Sequence, residues 1–452
     1  MNAFDFGFSP TATGLENTAA LQQALDQGGT VVVDRPGEYR MAGTVYIGGH
    51  TSLEFANNVF LKKVDERGPF SHVLLNRGAL TKTYDENIVV EGLSVVVNGM
   101  DVRTFKDVFG LHGQLAFFYV KDLRIERFRC LDLGAAQYGI HVCTFEDIQI
   151  NDVLIKGNKD GVHLGRGKRF RISNGSFETY DDAVALNAHD YDVGNPELGW
   201  IEDGVVENCH DLDDGKKPVG FFCRILAGAW IDWKPGMAVQ KSDTVVSQGK
   251  LYRVRAAADG TAYESTTPPT HPRGSAVLDG ITWVLVQDEV TYTAGVRNVV
   301  FRDIFLRKPR IGFSVHFDND KYSRSYYPGA AIPRQEQLVF DGIRVLHDQT
   351  CDFLSIGTPV DVLTISASSF RRSPIHFHGN QAMPDYLKTK INIVGSVFSQ
   401  PGEMELVLNR VANKDIELQT SASVTLHHDF AAKVVPGPGR ITVHSDLPGL
   451  SI

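Results

Sequence analysis

A recurrence every 22 residues constrains this chain more than any other feature. Tyr138-Gly139-Ile140-His141-Val142 aligns with Asp160-Gly161-Val162-His163-Leu164, and then with Asp182-Ala183-Val184-Ala185-Leu186. Two apolar columns result: Ile140, Val162 and Val184, then Val142, Leu164 and Leu186. Short strand patterns recur between them, among them Asn87-Ile88-Val89-Val90, Asp122-Leu123-Arg124-Ile125, Asp152-Val153-Leu154-Ile155 and Arg169-Phe170-Arg171-Ile172. The same pattern returns as Asn298-Val299-Val300-Phe301 and Gln337-Leu338-Val339-Phe340. A unit this short cannot bury an apolar face alone, so stacked neighbours must supply the core. Period-two alternation inside the longer period predicts a parallel β-solenoid. A βαβ fold would need a crossover helix in every unit, and the repeat has no room for one.

The expected fold is therefore all-β: a right-handed single-stranded parallel β-helix with an N-terminal capping helix. Asn17-Thr18 is placed as the cap of that helix, Leu21, Ala24 and Leu25 as its apolar face, and Gly28-Gly29 as its end. Such a helix covers an open sheet end, whose backbone groups are otherwise unpaired. The rhythm breaks from Trp230 to about Thr293, where Trp, Tyr, Pro and Gly concentrate. The predicted organisation is β-helix over 1–228, a small inserted β module over 229–293, and β-helix again over 294–452. The module's aromatics are read either as faces that stack on sugar rings or as a small core.

Composition narrows the function. A formal net charge of -9 argues against general nucleic-acid binding, which needs clustered Lys and Arg. No apolar run of about 18 residues is present, so no membrane span is expected. The five cysteines, Cys130, Cys143, Cys209, Cys223 and Cys351, are scattered and lack the spacing of a disulfide framework or zinc ribbon. Met1 to Pro10 shows no basic stretch followed by an apolar one, so no signal peptide is expected. The compartment is left open, periplasmic or extracellular if a leader has been removed. A monomer or small homo-oligomer is expected.

Two successive coils place acids in register, Asn158-Lys159-Asp160-Gly161 and Asp181-Asp182-Ala183-Val184. A rise of about 4.8 Å per coil brings Asp160 towards Asp181 and Asp182. Three crowded carboxylates repel one another, which favours keeping one protonated while another stays ionised. Acid–base hydrolysis needs that division of labour. Turn chemistry is the alternative, since every coil has a turn and Asp-Gly is ordinary there. Strict alternation also gives Asp160 and Asp182 the parity of core residues, so they reach solvent only if the strands begin after them.

With these residues the chain resembles the polygalacturonases, glycoside hydrolase family 28. The resemblance rests on Asn158-x-Asp160-Gly161, on Asp181-Asp182-x-Val184-Ala185, and on the opening Gly28-Gly29-Thr30-Val31-Val32-Val33 with Pro36-Gly37-x-Tyr39. It implies a right-handed parallel β-helix that hydrolyses pectic glycosidic bonds with inversion. It further implies Asp181 as general acid, with Asp160 and Asp182 holding and deprotonating the attacking water. Two departures bear on the substrate. Where the family carries Gly-His-Gly, this chain has Pro218-Val219-Gly220-Phe221-Phe222-Cys223. Where it carries Gly-Ile-Arg-Ile-Lys, this chain has Gly312-Phe313-Ser314-Val315-His316. The sugar is left open: galacturonate, or a neutral or differently substituted one.

Counting outward from the core columns sets His141, His163 and His376 at one position, and Cys143, Asn187, Arg224, His316 and His378 at the next. Substrate contacts are assigned to His163, Asn187, His189, Arg224, His316, Asp318 and Tyr326, with Tyr322 and Tyr327 as further stacking candidates. The basic run Lys156, Lys159, Arg166, Lys168, Arg169 and Arg171 is read as attracting an acidic glycan or as solvated turns. No cofactor and no metal are expected, and the partner is a carbohydrate. The leading function is an inverting glycoside hydrolase on a polysaccharide or derived oligosaccharide. A polysaccharide lyase, or a non-catalytic glycan-binding protein of phage-tail or adhesin type, remains the alternative.

Overall fold

The computed structural model describes residues 1–191, 193–256, 261–318, 324–377 and 389–398, and beyond them strands including Gly402–Asn409, Ile416–Thr420 and Phe430–Val435. Tyr322, His378, His427 and His428 lie outside the described residues. The chain divides into two compact units, Met1–Ala185 with Gly204–Phe222, and Leu186–Asp203 with Cys223–Ile452.

In the first unit the repeat becomes a parallel β-helix. Ile140 pairs with Val162, Phe145 with Gly167 and Leu154 with Ser176, each in parallel register and each 22 positions on. Ile140, Val142, Ile148, Ile150, Val162, Leu164, Phe170 and Ile172 are buried and form the column interior. Each coil turns at two residues in the left-handed region, five positions apart. These are Asp122 and Arg127, then Asp147 and Asp152, then Arg169 and Asn174, with φ between 49° and 57°. The strand patterns seen in the sequence begin on these corners, and Asn and Asp lead them because they tolerate left-handed backbone best after glycine. The corners also bond to one another, Asn174 Nδ2 to Asn151 Oδ1 at 2.7 Å and Asn208 Nδ2 to Asn174 Oδ1 at 2.6 Å.

The capping helix, α1, spans Gly14–Asp26 and is the single α-helix among the described residues. It starts one turn earlier than Asn17-Thr18. Thr13 caps it through a reciprocal pair: its side chain accepts from the Glu16 amide, and the Glu16 carboxylate accepts from Thr13 N at 2.8 Å. A Thr-x-x-Glu box satisfies two orphan amides at once, which outcompetes a lone Asn. Asn17 is instead buried and accepts from Ser9 N at 2.9 Å. Leu21, Ala24 and Leu25 are buried as expected.

The second unit holds further parallel coils, with Cys223, Arg224, Ile225 and Leu226 facing Phe313, Ser314, Val315 and His316. Inside them Phe301 stacks on Phe340 at 5.2 Å, Phe313 meets both rings edge-on, and Phe353 meets Phe340 edge-on. This unit also carries antiparallel structure. Gly228 and Ala229 pair antiparallel with Ala294 and Thr293, closing a stem. Between them a five-stranded sheet runs in the order Ile231–Asp232, Thr244–Ser247, Lys250–Ala256, Ile281–Gln287, Ser275–Leu278, beside the ribbon Met237–Val239 with Tyr263–Ser265. Val245, Tyr252, Val254, Ile281 and Trp283 form its core, with Trp233 and Tyr263 packed against them. Trp283 and Tyr252 have no exposed surface, so these two rings fill a core and present no face to a sugar. No helix among the described residues is long and apolar enough to cross a membrane.

Candidate functional site

The first unit brings the three acids together. One carboxylate oxygen from each of Asp160, Asp181 and Asp182 lies within 4.8 Å of the other two. The strands that follow begin at Val162 and Val184, so Asp160 and Asp182 sit in the turns just before them. They are nevertheless buried, at 3% and 2% exposure, while Asp181 is partly exposed. Asp182 Oδ1 accepts the Phe221 amide at 2.9 Å. That contact requires Gly220, because a Cβ there would come within 2.5 Å of the Asp182 nitrogen. Asp160 Oδ2 meets His163 Nδ1 at 2.9 Å.

Two features of this cluster escaped the sequence reading. Lys159 turns inward: its Nζ pairs with Asp181 Oδ2 and lies 3.5 Å from Asp160 Oδ1. It had been placed only in the basic run, although its slot between Asn158 and Asp160 already set it beside the acids. Behind Asp160, His163 is stacked on Tyr138 at 4.1 Å and 6°, with His141 edge-on at 4.7 Å and His112 4.0 Å from Tyr138. His112, His141 and His163 are wholly buried, so neither His141 nor His163 faces solvent as the outward count implied. Burial pushes the His112 imidazole well below its ordinary range, helped by His141 and His163. The histidines are therefore a packed wall that orients Asp160. Four others of the basic run are matched by acids: Lys156 pairs with Glu178 at 2.8 Å, Lys168 with Glu146 at 3.5 Å, Arg169 with Asp147 at 2.7 Å, and Arg171 with Glu207.

The second unit holds the other assigned residues. Asn187 Nδ2 donates to Asp190 Oδ2 at 2.7 Å, and both are buried. Burial pushes the Asp190 carboxyl up to about 6 against the pull of Arg224. His189 is buried against Thr244, Nε2 to Oγ1 at 3.1 Å, and burial with the nearby Arg253 pushes it down to about 3. Arg224 donates to both Asp318 oxygens, at 3.1 and 2.9 Å, and His316 Nε2 lies 3.3 Å from Asp318 Oδ1. Arg224 stands opposite Ser314, and His316 opposite Leu226, so Arg224 and His316 do not share the column to which counting assigned them. The count slipped at Arg224, because the stretch between Asn187 and Arg224 departs from the 22-residue period. Tyr326 is 4% exposed and packs on Phe317 and Ala229, which gives its ring to the interior. Ser314, whose hydroxyl meets His316, was noted only as a departure from the family pattern.

No family model and no curated protein sequence matches the chain. Solved structures are similar to it in fold. A hyperthermoactive exopolygalacturonase from Thermotoga maritima aligns with a TM-score of 0.51 over 92% of this chain and 91% of its own, at 13% identity. The pre-mature gene product 12 of bacteriophage phi29 aligns with a TM-score of 0.51 over 98% of this chain, at 11% identity. This chain spans 55% of that protein's length. The class these likenesses define is the parallel β-helix.

Proposed function

We propose that the chain is a glycoside hydrolase that cleaves a polysaccharide, or an oligosaccharide derived from one; inversion follows from the resemblance to the polygalacturonases and not from the spacing of the acids. The observation that carries this reading is the meeting of Asp160, Asp181 and Asp182 within 4.8 Å, with Asp181 the partly exposed member. Asp181 is the proton donor to the leaving oxygen, since it alone of the three presents surface to a bulky substrate. Asp160 and Asp182, fixed by His163 and by the Phe221 amide, act as acceptors that hold and deprotonate the attacking water. Lys159 pairs with Asp181 in the resting site, so substrate binding must part that ion pair before Asp181 can carry a proton. The substrate sugar follows from no residue here, and a panel of pectic and other polysaccharides identifies it. Product analysis that finds new reducing ends, with the anomeric configuration inverted by proton NMR, supports the reading.

Lys159 also favours one competing reading. A lysine beside carboxylates suits a lyase, in which the neutral amine, once it has lost its proton, takes the proton beside a uronate carboxylate. A product absorbing in the ultraviolet, with an unsaturated non-reducing end, would replace hydrolysis by elimination.

A further inference from the structure

We propose that Ser314, His316 and Asp318 form an acyl-transfer centre that hydrolyses a short-chain carboxylic ester. Ser314 and His316 stand two residues apart on strand Phe313–His316, so they project from the same face. Ser314 Oγ lies 2.9 Å from His316 Nδ1, and His316 Nε2 lies 3.3 Å from Asp318 Oδ1. A carboxylate only accepts, so the ring proton belongs on Nε2, which leaves Nδ1 to accept from the serine hydroxyl. The order is serine, histidine, aspartate, with the two ring nitrogens exchanged relative to the familiar triad, whose roles are set by geometry.

Asp318 is held from two sides. Arg224 donates to both its oxygens, and its backbone is tied to Ser325, Asp318 N to Oγ at 2.8 Å and Ser325 N to Asp318 O at 2.9 Å. An ion pair that merely braced the coil would need no imidazole linking its carboxylate to a hydroxyl. Arg224 is also the residue opposite Ser314 on the adjacent strand, so the brace on Asp318 comes from the neighbouring coil. Ser314 is 4% exposed and the His316 side chain 23%. With so little of the serine exposed, the acyl group proposed is a small one such as acetyl.

In the first step the Ser314 oxygen bonds to the acyl carbon while its proton passes to His316 Nδ1. The ester C–O bond then breaks, and the alcohol leaves with that proton. Water, deprotonated by the same nitrogen, attacks the acyl-serine, and the carboxylic acid departs as the Ser314 hydroxyl is restored. The ester centre stands on these contacts alone; that the alcohol is a sugar rests on the glycan function proposed above.

The test uses the full chain with a fluorophosphonate probe, p-nitrophenyl acetate and an O-acetylated polysaccharide. Peptide mass mapping should find the phosphonyl adduct on Ser314. Ser314→Ala should lose both adduct and acetate release, and His316→Ala should lower the rate by about 10²–10⁴. Ser314→Cys, nearly isosteric, should keep the fold and alkylate at position 314. A folded wild-type protein with no adduct at Ser314 would overturn the proposal, as would Ser314→Ala hydrolysing p-nitrophenyl acetate at the wild-type rate. An adduct on Ser314 without acetate release from the polysaccharide would keep the ester centre and overturn its sugar-borne substrate.

Discussion

Three acids within one turn's reach answer differently to the loss of a single charge. Asp181→Asn keeps shape and hydrogen bonding but removes the transferable proton, so turnover should fall by about 10²–10⁴ with folding unchanged. Substrates with a good leaving group should suffer less, because they need less protonation. Asp160→Asn and Asp182→Asn should slow all substrates alike, since the attacking water loses its acceptors. Near wild-type rates in all three folded variants would reduce the cluster to turn chemistry. Lys159 gives a sharper handle. Its ammonium stabilises the ionised Asp181, so Lys159→Met should raise the proton affinity of that carboxyl. The alkaline limb of the kcat/KM profile should then move to higher pH. A limb that stays in place would mean another group donates the proton.

At the scale of elements, the antiparallel module is locked to the segment that follows Leu186 by buried polar contacts. Arg253, 3% exposed, donates to the carbonyls of Tyr191 at 3.1 Å and Asn195 at 2.8 Å. Gln287 accepts from the Leu198 amide at 2.9 Å. Arg253→Met keeps the length but leaves these carbonyls without their donor, at about 1–3 kcal/mol for each buried group. Trp283→Ala should cost about 3–5 kcal/mol through the cavity it opens beside Val245, Tyr252 and Ile281. Hydrogen exchange should show protection lost first in the strands Lys250–Ala256 and Ile281–Gln287. Loss confined to glycan binding, with exchange unchanged, would contradict this account.

At the scale of the whole molecule, buried titratable groups make the two units differ in acid sensitivity. Burial pushes His72 of the first unit down to about 4, and His112 well below its ordinary value. Both stay neutral in the fold while the unfolded chain binds protons near pH 6.5, so their stabilisation is lost as pH falls from about 6.5 towards 4. His72 alone accounts for about 3 kcal/mol on that basis. Lys63, buried and pushed down to about 7, acts in the same sense higher up: stability rises as pH climbs from about 7 towards 10.5. In the second unit His189 is opposed by Asp190 and Asp243, which burial pushes up to about 6 and about 7. Those carboxyls bind protons in the fold before the unfolded chain does, so acid favours them. Hydrogen exchange at pH 5 against pH 7 should therefore loosen the first unit more than the second. Equal loosening would refute the assignment.

The period in the chain by itself determined the parallel β-helix. The apolar columns of Ile140, Val162 and Val184 state the register directly, and one slip would turn every side chain to the wrong face. The nearness of Asp160 to Asp181 and Asp182 followed from that register alone. Only the tertiary structure decided how deep the groups lie and which way they point. His163 and His189 read as surface residues because a one-dimensional count cannot see the neighbouring coil or the module that covers them. Lys159 read as part of a basic run that attracts an acidic glycan or lies in solvated turns, yet two carboxylates on one side draw its ammonium inward. Arg224 and His316 were placed in one column because the longer stretch leading to Arg224 breaks the period that locates it. Burial, ion pairing and register across a break in the period depend on what packs from outside the repeat, and no local spacing records it.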